Sequence, residues 1–370
     1  MHRFAFVIHP VDVKRDAARR YPIARYLPER WVEKLLLRKE PMVVSHITGV
    51  RSQTGAEAEG WFIGCPLSPR MMLSLPLEVV YDKIVRCGQI AQELGAEIIG
   101  LGAFTSVVGD GGVTIARRLE NIAVTTGNSY TVATAIEAAV LGAQKMGIAI
   151  EDATVAVVGA TGSIGRTCAE ALAPQAQSML LLGRDTARLT PIAAQLQPIA
   201  RGAVRVSDDL ARDLPSADVI ITVTSAVDAV IYPKDLKSGA VVVDVARPRD
   251  VSVRVARERD DVLVIEGGLV AVPGAVDFGF NFGFPPRMAY ACMSETMMLA
   301  LEGRIENFTL GKEVSLQQVQ ITQALARKHG FRLAGFRSFE RALTDEEIAA
   351  IRARAHRPSP AEGAPAIPAG

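Results

Sequence analysis

Histidine and cysteine are scarce in this chain, with five and four among 370 residues. Cys65, Cys87, Cys168 and Cys292 are spaced too widely for a zinc cluster or a redox pair. No metal site is therefore expected. The N-terminus MHRFAFVIHPVDVKRD has too short an apolar run for a secretory leader. Reduced thiols and a cytoplasmic location are expected. No stretch of ~20 apolar residues is present, which excludes a spanning helix but leaves peripheral membrane association open. Charge of one sign is also missing. The net charge is +1, so no nucleic-acid footprint is expected. The clusters Lys14/Arg15/Arg19/Arg20 and Arg352/Arg354 are short and read as solvated helix faces.

What is present is a globular composition, 49% hydrophobic and 22% charged, long enough for two or three domains. Residues 4–9, 41–50 and 58–64 read as strands, the last two joined by a turn. Residues 76–95 read as a helix opened by Pro76 and closed by Gly95. The Ala-rich stretch 128–147 reads as a helix connecting domains. From Asp152 onward, near-continuous apolar runs alternate with helical stretches: ATVAVVGA, SMLLLGR, ADVIITVTSA, GAVVVDVA and DVLVIEGG. This is the pattern of a parallel sheet covered on both faces. The expected class is α/β: a small N-terminal α/β domain (1–130), then a doubly wound Rossmann domain (131–305). A helical segment (306–357) and a disordered tail (358–370) follow. Residues 285–303 and 316–330 are expected as helices.

The sharpest pattern is GATGSIG, between the strand TVAVV and the helix RTCAEALA. Gly159 permits the turn, Gly162 lets the backbone approach a pyrophosphate, and Gly165 lets helix and strand pack. Thr161, Ser163 and Ile164 complete the cofactor loop, at a helix N-terminus with free N–H groups. The next strand ends in Gly183-Arg184-Asp185, with Arg188 one turn later. Guanidinium groups there suit a 2′-phosphate, so NADPH is favoured over NADH, although Asp185 could hold a ribose diol instead. Thr224 and Ser225, Asp244 to Pro248, and Glu266-Gly267-Gly268 end later strands, where open α/β sheets bind ligands.

Cys292 lies in RMAYACMSETMMLALEG. Read locally, it is a buried helix residue more than one turn from a start near Pro286, and no histidine adjoins it. Cys65, on a loop before Pro66, is a rival nucleophile. Cys168 reads as packing.

GATGSIG after TVAVV, GLGAFTSVV (100–108), TTGNSYT (125–131) and RMAYACMSETMMLALEG (287–303) together resemble the long-chain acyl-[acyl-carrier-protein] reductases of cyanobacterial type. The resemblance runs over about residues 4–333. It implies reduction of fatty acyl-carrier-protein, or acyl-CoA, to fatty aldehyde with NADPH through an acyl-cysteine, and it maps the nucleophile to Cys292. It also implies an acyl-binding N-terminal region, for which Trp61, Phe62, Met71, Met72, Leu73 and Phe104 are candidate tunnel residues, and an aldehyde-consuming partner enzyme. Thr105, Ser106 and Asn128 are candidates to polarise the acyl carbonyl, or else turn and cap residues. Two alternatives stay open. One is a shikimate-dehydrogenase-type reductase without covalent catalysis, for which Asp82 and Lys83 form no convincing pair. The other is an NADP-sensing scaffold.

Overall fold

A computed structural model describes residues 1–20, 22–281 and 283–355. The expected tail at 358–370 lies outside the described residues. The chain opens with β1 (His2–Ile8), followed by α1 (Val13–Arg20) and α2 (Glu29–Leu37). Next come β2 (Met42–Arg51), β3 (Glu57–Gly64), α3 (Pro69–Ser74) and α4 (Leu77–Glu93). β4 (Ile98–Gly100), α5 (Phe104–Val107), α6 (Val113–Arg118) and β5 (Ala123–Thr125) complete this region. β2 and β3 pair antiparallel across a turn in which the Gly55 N–H donates to the Ser52 carbonyl. β1 lies between parallel neighbours, β3 and β4, and its Phe4, Ala5, Phe6 and Val7 are buried accordingly.

The long helix α7 (Asn128–Met146) leads into the second sheet. That sheet comprises β6 (Thr154–Val158), β7 (Ser178–Leu182), β8 (Val204–Ser207), β9 (Val219–Thr222), β10 (Val241–Asp244) and β11 (Leu263–Glu266). Between them run α8 (Ser163–Leu172), α9 (Thr186–Leu196), α10 (Leu210–Asp213) and α11 (Val253–Glu258). The strands are all parallel, in the order β11-β10-β9-β6-β7-β8, which is the doubly wound dinucleotide-binding order. Strand alternation divides the packing: Val155 and Val157 of β6 join one core, Ala156 and Val158 the core on the opposite face. β8 was not expected, because it is short and half-buried.

Three differences from the sequence reading position the site. First, residues 285–303 are not one helix. Met288–Tyr290 is a strand, β14, paired antiparallel with β12 (Leu269–Ala271), and α12 (Ala291–Glu302) starts only at Ala291. Second, β13 (Gly274–Asp277) returns to pair with β2, so the first sheet runs β13-β2-β3-β1-β4-β5 and is not built from residues 1–130 alone. α12 also packs on β1, β3 and β4 of that sheet. Third, α7 does more than connect. It is buried against β9, β10 and β11 as well as α8, α12 and α13 (Leu316–His329). Ala133, Ala135, Ala138, Ala139 and Ala143 let its neighbours approach, and one continuous core joins both sheets through it. α14 (Asp345–Ala355) closes the described chain against α7.

Candidate active site

A cleft of about 1830 Å³ opens where the carboxyl ends of parallel strands from both sheets meet. Gly159, Thr161, Gly162, Ser163, Ile164 and Gly165 line it, as do Arg184, Arg188, Thr224 and Ser225. Gly159 has φ +87°, and a Cβ there would lie 2.6 Å from the Val223 carbonyl oxygen. A Cβ on Gly165 would lie 2.5 Å from the Gly159 oxygen, so helix α8 rests directly on the turn. Around Gly162 only that oxygen, at 3.3 Å, comes near. The turn therefore fits a pyrophosphate at the N-terminus of α8.

Arg184 and Arg188 form no ion pair among the described residues. The nearby acid, Asp185, is occupied as the N-cap of α9, accepting from the Arg188 N–H at 3.2 Å. Thr224 is held by buried Asp250, which accepts from the Thr222 hydroxyl (2.6 Å), the Thr224 N–H (2.8 Å) and the Thr224 hydroxyl. Asp244 receives the Ala246 and Val251 N–H groups at 3.1 and 2.9 Å, and burial pushes its carboxyl up to about 6.

Cys292 lines the same cleft, as the second residue of α12. The helix begins later than its sequence implies, so the thiol sits in the first turn, where the Met293 N–H reaches it and the Ala291 N–H is taken by the Gly268 carbonyl (2.7 Å). Gly127, just before α7, faces it. Gly127 has φ +73°, and a Cβ there would fall 2.3 Å from the Cys292 Cα. Only glycine brings the starts of α7 and α12 this close together. Asn128, first in α7, is 4% exposed, lines the cleft and makes no side-chain hydrogen bond among the described residues.

A buried carboxylate locks the two helix starts together, and sequence reading missed it. Glu295, fully buried on α12, accepts from the Thr125 hydroxyl (2.6 Å), the Ser129 hydroxyl (2.7 Å), the Tyr130 N–H (2.9 Å) and the Thr309 hydroxyl (3.1 Å). It thus caps α7 from another helix. Burial pushes its carboxyl up, and these four donors oppose the shift. The only sequence signal was an acid, flanked by Ser294 and Thr296, inside a mainly apolar helix.

Burial pushes the Cys292 thiol up to about 12, against the opposing pull of the Met293 N–H and the Arg247 charge. Glu295 adds to the upward shift. Arg247 is anchored by donating to the Tyr290 hydroxyl (3.2 Å) and the Ala246 carbonyl (2.7 Å). His9 also lines the cleft, but burial pushes it down to about 4. Its Nε2 accepts from the Phe104 N–H at 3.2 Å, and its Nδ1 faces the Pro10 carbonyl at 3.2 Å. With both nitrogens engaged, it is not a free base. The folded protein therefore holds the Cys292 proton, a contribution to stability that is present below about 9 and lost as pH rises toward about 12. Iodoacetamide labelling of Cys292 in the free protein is expected to accelerate about tenfold per pH unit between pH 7 and 10. A plateau near neutrality, followed by peptide mass mapping, would show a thiol activated before substrate arrives.

Other expected site residues fall elsewhere. Thr105 does not reach the cleft: it is 1% exposed, and its hydroxyl donates to the Gly102 carbonyl at 2.8 Å. Ser106 lines the cleft, but its proton is committed to the Ala103 carbonyl at 2.7 Å. Both act as turn residues. Of the six tunnel candidates, Leu73 and Phe104 line the cleft. Phe62, Met71 and Met72 are packed in cores, and Trp61 stacks on His46 with centroids 5.1 Å apart. Cys65 lines the cleft but is 1% exposed and follows a strand. Cys168 is wholly buried, which pushes its thiol up to about 12. Lys83 and Asp82 lie outside the cleft, paired with Glu40 and Arg118.

The glycine turn, the strand order and the cleft define an oxidoreductase built on an NAD(P)-binding fold. Residues 141–266 match the shikimate/quinate 5-dehydrogenase family model. Over 305 residues the chain is 30% identical to the long-chain acyl-[acyl-carrier-protein] reductase of Synechococcus elongatus, covering 79% of this chain and 87% of that protein. The chain belongs to that reductase's family. It is also 32% identical over 366 residues to aminotransferase PigE of a Serratia species, covering 96% of this chain. The chain spans only 42% of PigE's length. Among solved structures, a dipicolinate synthase polypeptide from Bacillus halodurans is similar at 17% identity, with 52% of this chain and 62% of that one covered and a TM-score of 0.33.

Proposed function

We propose that this protein reduces a long-chain acyl thioester, carried on acyl carrier protein or CoA, to the aldehyde with NADPH, through an acyl group on Cys292. The observation that carries this reading is a thiol in the first turn of α12 opening onto the same cleft as the glycine turn. The cleft also has an apolar side, where Val13, Leu36, Leu73, Phe104 and Val107 can take an alkyl chain.

The Cys292 sulfur attacks the thioester carbonyl and forms a new C–S bond. The carrier sulfur leaves with its bonding electrons and takes the proton that Cys292 gives up. This exchange of one thiol for another is proton-neutral overall; the attacking species is the thiolate, formed as the Cys292 proton passes toward the departing carrier sulfur. The Asn128 amide and the N–H groups at the start of α12 are the donors available to the developing oxyanion. Bound along the turn at 159–165, NADPH supplies hydride. When the aldehyde forms, the Cys292 sulfur departs with the C–S electron pair and regains a proton. An aldehyde-consuming partner enzyme is proposed here too.

The test is to incubate the protein with acyl carrier thioester or acyl-CoA without NADPH and weigh it intact. An adduct of acyl mass, removed by hydroxylamine, is expected. Its absence with both carriers would overturn the reading. Arg184 and Arg188 are proposed to hold the 2′-phosphate. Replacing both by alanine is expected to raise KM for NADPH at least ~100-fold, from two charge-assisted contacts, and to leave KM for NADH little changed. Steady-state kinetics with both cofactors decides this.

A further inference from the structure

We infer that the α2 face of the N-terminal helical cap docks on an anionic lipid surface. Large apolar side chains stand out from this cap. Ile23 is 67% exposed, Tyr26 79%, Trp31 65% and Leu35 51%. Trp31 and Leu35 are one helical turn apart on α2, so they share a face. Their neighbours are cationic: Arg38 continues the same stripe, and Arg30 and Lys34 form the adjacent one, with Arg25 on the preceding turn.

These four cations form no ion pair among the described residues, whereas most acids of the cap are engaged. Asp12 accepts from the Arg15 N–H, Asp16 from the Val11 and Asp12 N–H groups, Glu33 from the Ser68 hydroxyl, and Glu40 from Lys83. Uncompensated positive charge around exposed Trp, Tyr and Leu is the composition of an interfacial helix, in which aromatic rings sit at headgroup depth and cations meet lipid phosphates. A purely electrostatic partner would leave four large apolar side chains in water without a role.

The opposite side of the same cap faces the cleft, through Val13, Ala17 and Leu36. Docking would therefore leave only the thickness of this cap between the bilayer and the apolar side of the cleft. That link rests on the acyl-reductase reading. The docking itself rests on exposure and charge alone.

The experiment is co-sedimentation of the full chain with vesicles, without substrate or cofactor, so that its failure says nothing about the reaction. One vesicle set is pure phosphatidylcholine, and the other contains one part phosphatidylglycerol to two parts phosphatidylcholine. Partitioning into the anionic set is expected to be at least ~10-fold stronger and to weaken with added salt. Lys34→Glu/Arg38→Glu is expected to weaken it at least ~25-fold, at about fivefold per cation, and Trp31→Ser/Leu35→Ser roughly tenfold. Circular dichroism and NADPH binding unchanged from the parent chain show that each variant is folded. No binding to anionic vesicles, or equal binding by the variants, overturns the inference. So does a dimer in sedimentation velocity that Trp31→Ser/Leu35→Ser dissolves, since a second copy would then cover the face. Capture of an acidic protein by this face, in place of vesicles, overturns it too.

Discussion

Replacing Cys292 by alanine is expected to lower acyl-thioester reduction at least ~10⁴-fold and to abolish the acyl adduct, while NADPH binding and thermal stability stay close to those of the parent. The substitution removes one sulfur at the cleft wall and leaves the glycine turn, Arg184 and Arg188 untouched. Full turnover by this variant on a ketone substrate would instead favour direct reduction without a covalent intermediate. The companion variant Cys65→Ala separates the two cleft-lining thiols. It is expected to keep its adduct, because Cys65 follows a strand and has no helix start behind it. Intact mass and NADPH absorbance measure both outcomes.

Glu295→Ala is expected to cost about 3–5 kcal/mol of stability, measured by urea unfolding. Four donors lose their acceptor at once: three hydroxyls and the Tyr130 N–H, all in the interior. Glu295→Gln keeps the shape and one acceptor oxygen, but turns an NH2 group toward some of those donors. Its cost is expected to be smaller, about 1–3 kcal/mol, because the hydroxyls can rotate while the Tyr130 N–H cannot. The same substitution removes a negative charge that pushes the Cys292 thiol up. Cys292 in Glu295→Gln should therefore label faster with iodoacetamide at a given pH. A purely structural role for Glu295 would leave that rate alone.

How much of this was legible beforehand depends on how local the cause is. The glycine turn could be read because its spacing is local: Gly162 and Gly165 both face the Gly159 oxygen, although Gly159 itself makes room for the distant Val223 carbonyl. The parallel sheet could be read because burial on both faces leaves apolar runs with no polar interruption. The start of α12 could not. Met288–Tyr290 is extended because Leu269–Ala271 pairs with it, some twenty residues earlier in the chain. Nothing within the local window opposes a helix there. That misplacement alone made Cys292 look remote from the helix dipole. Glu295 was hidden for the same reason, since its partners in β5 and α7 lie 165 to 170 residues away.

The return of β13 to the edge of β2 has a consequence for biosynthesis. The strands up to β5 are available once Thr125 has emerged, but the outer edge of β2 has no partner until Asp277 follows. At ordinary translation speeds that interval is about eight to thirty seconds. Throughout it, a nascent sheet with an open edge waits at the ribosome, without α12 to cover its face. Such an edge is a template for pairing with other chains. The newborn chain is thus most vulnerable to aggregation while its cofactor domain is being made.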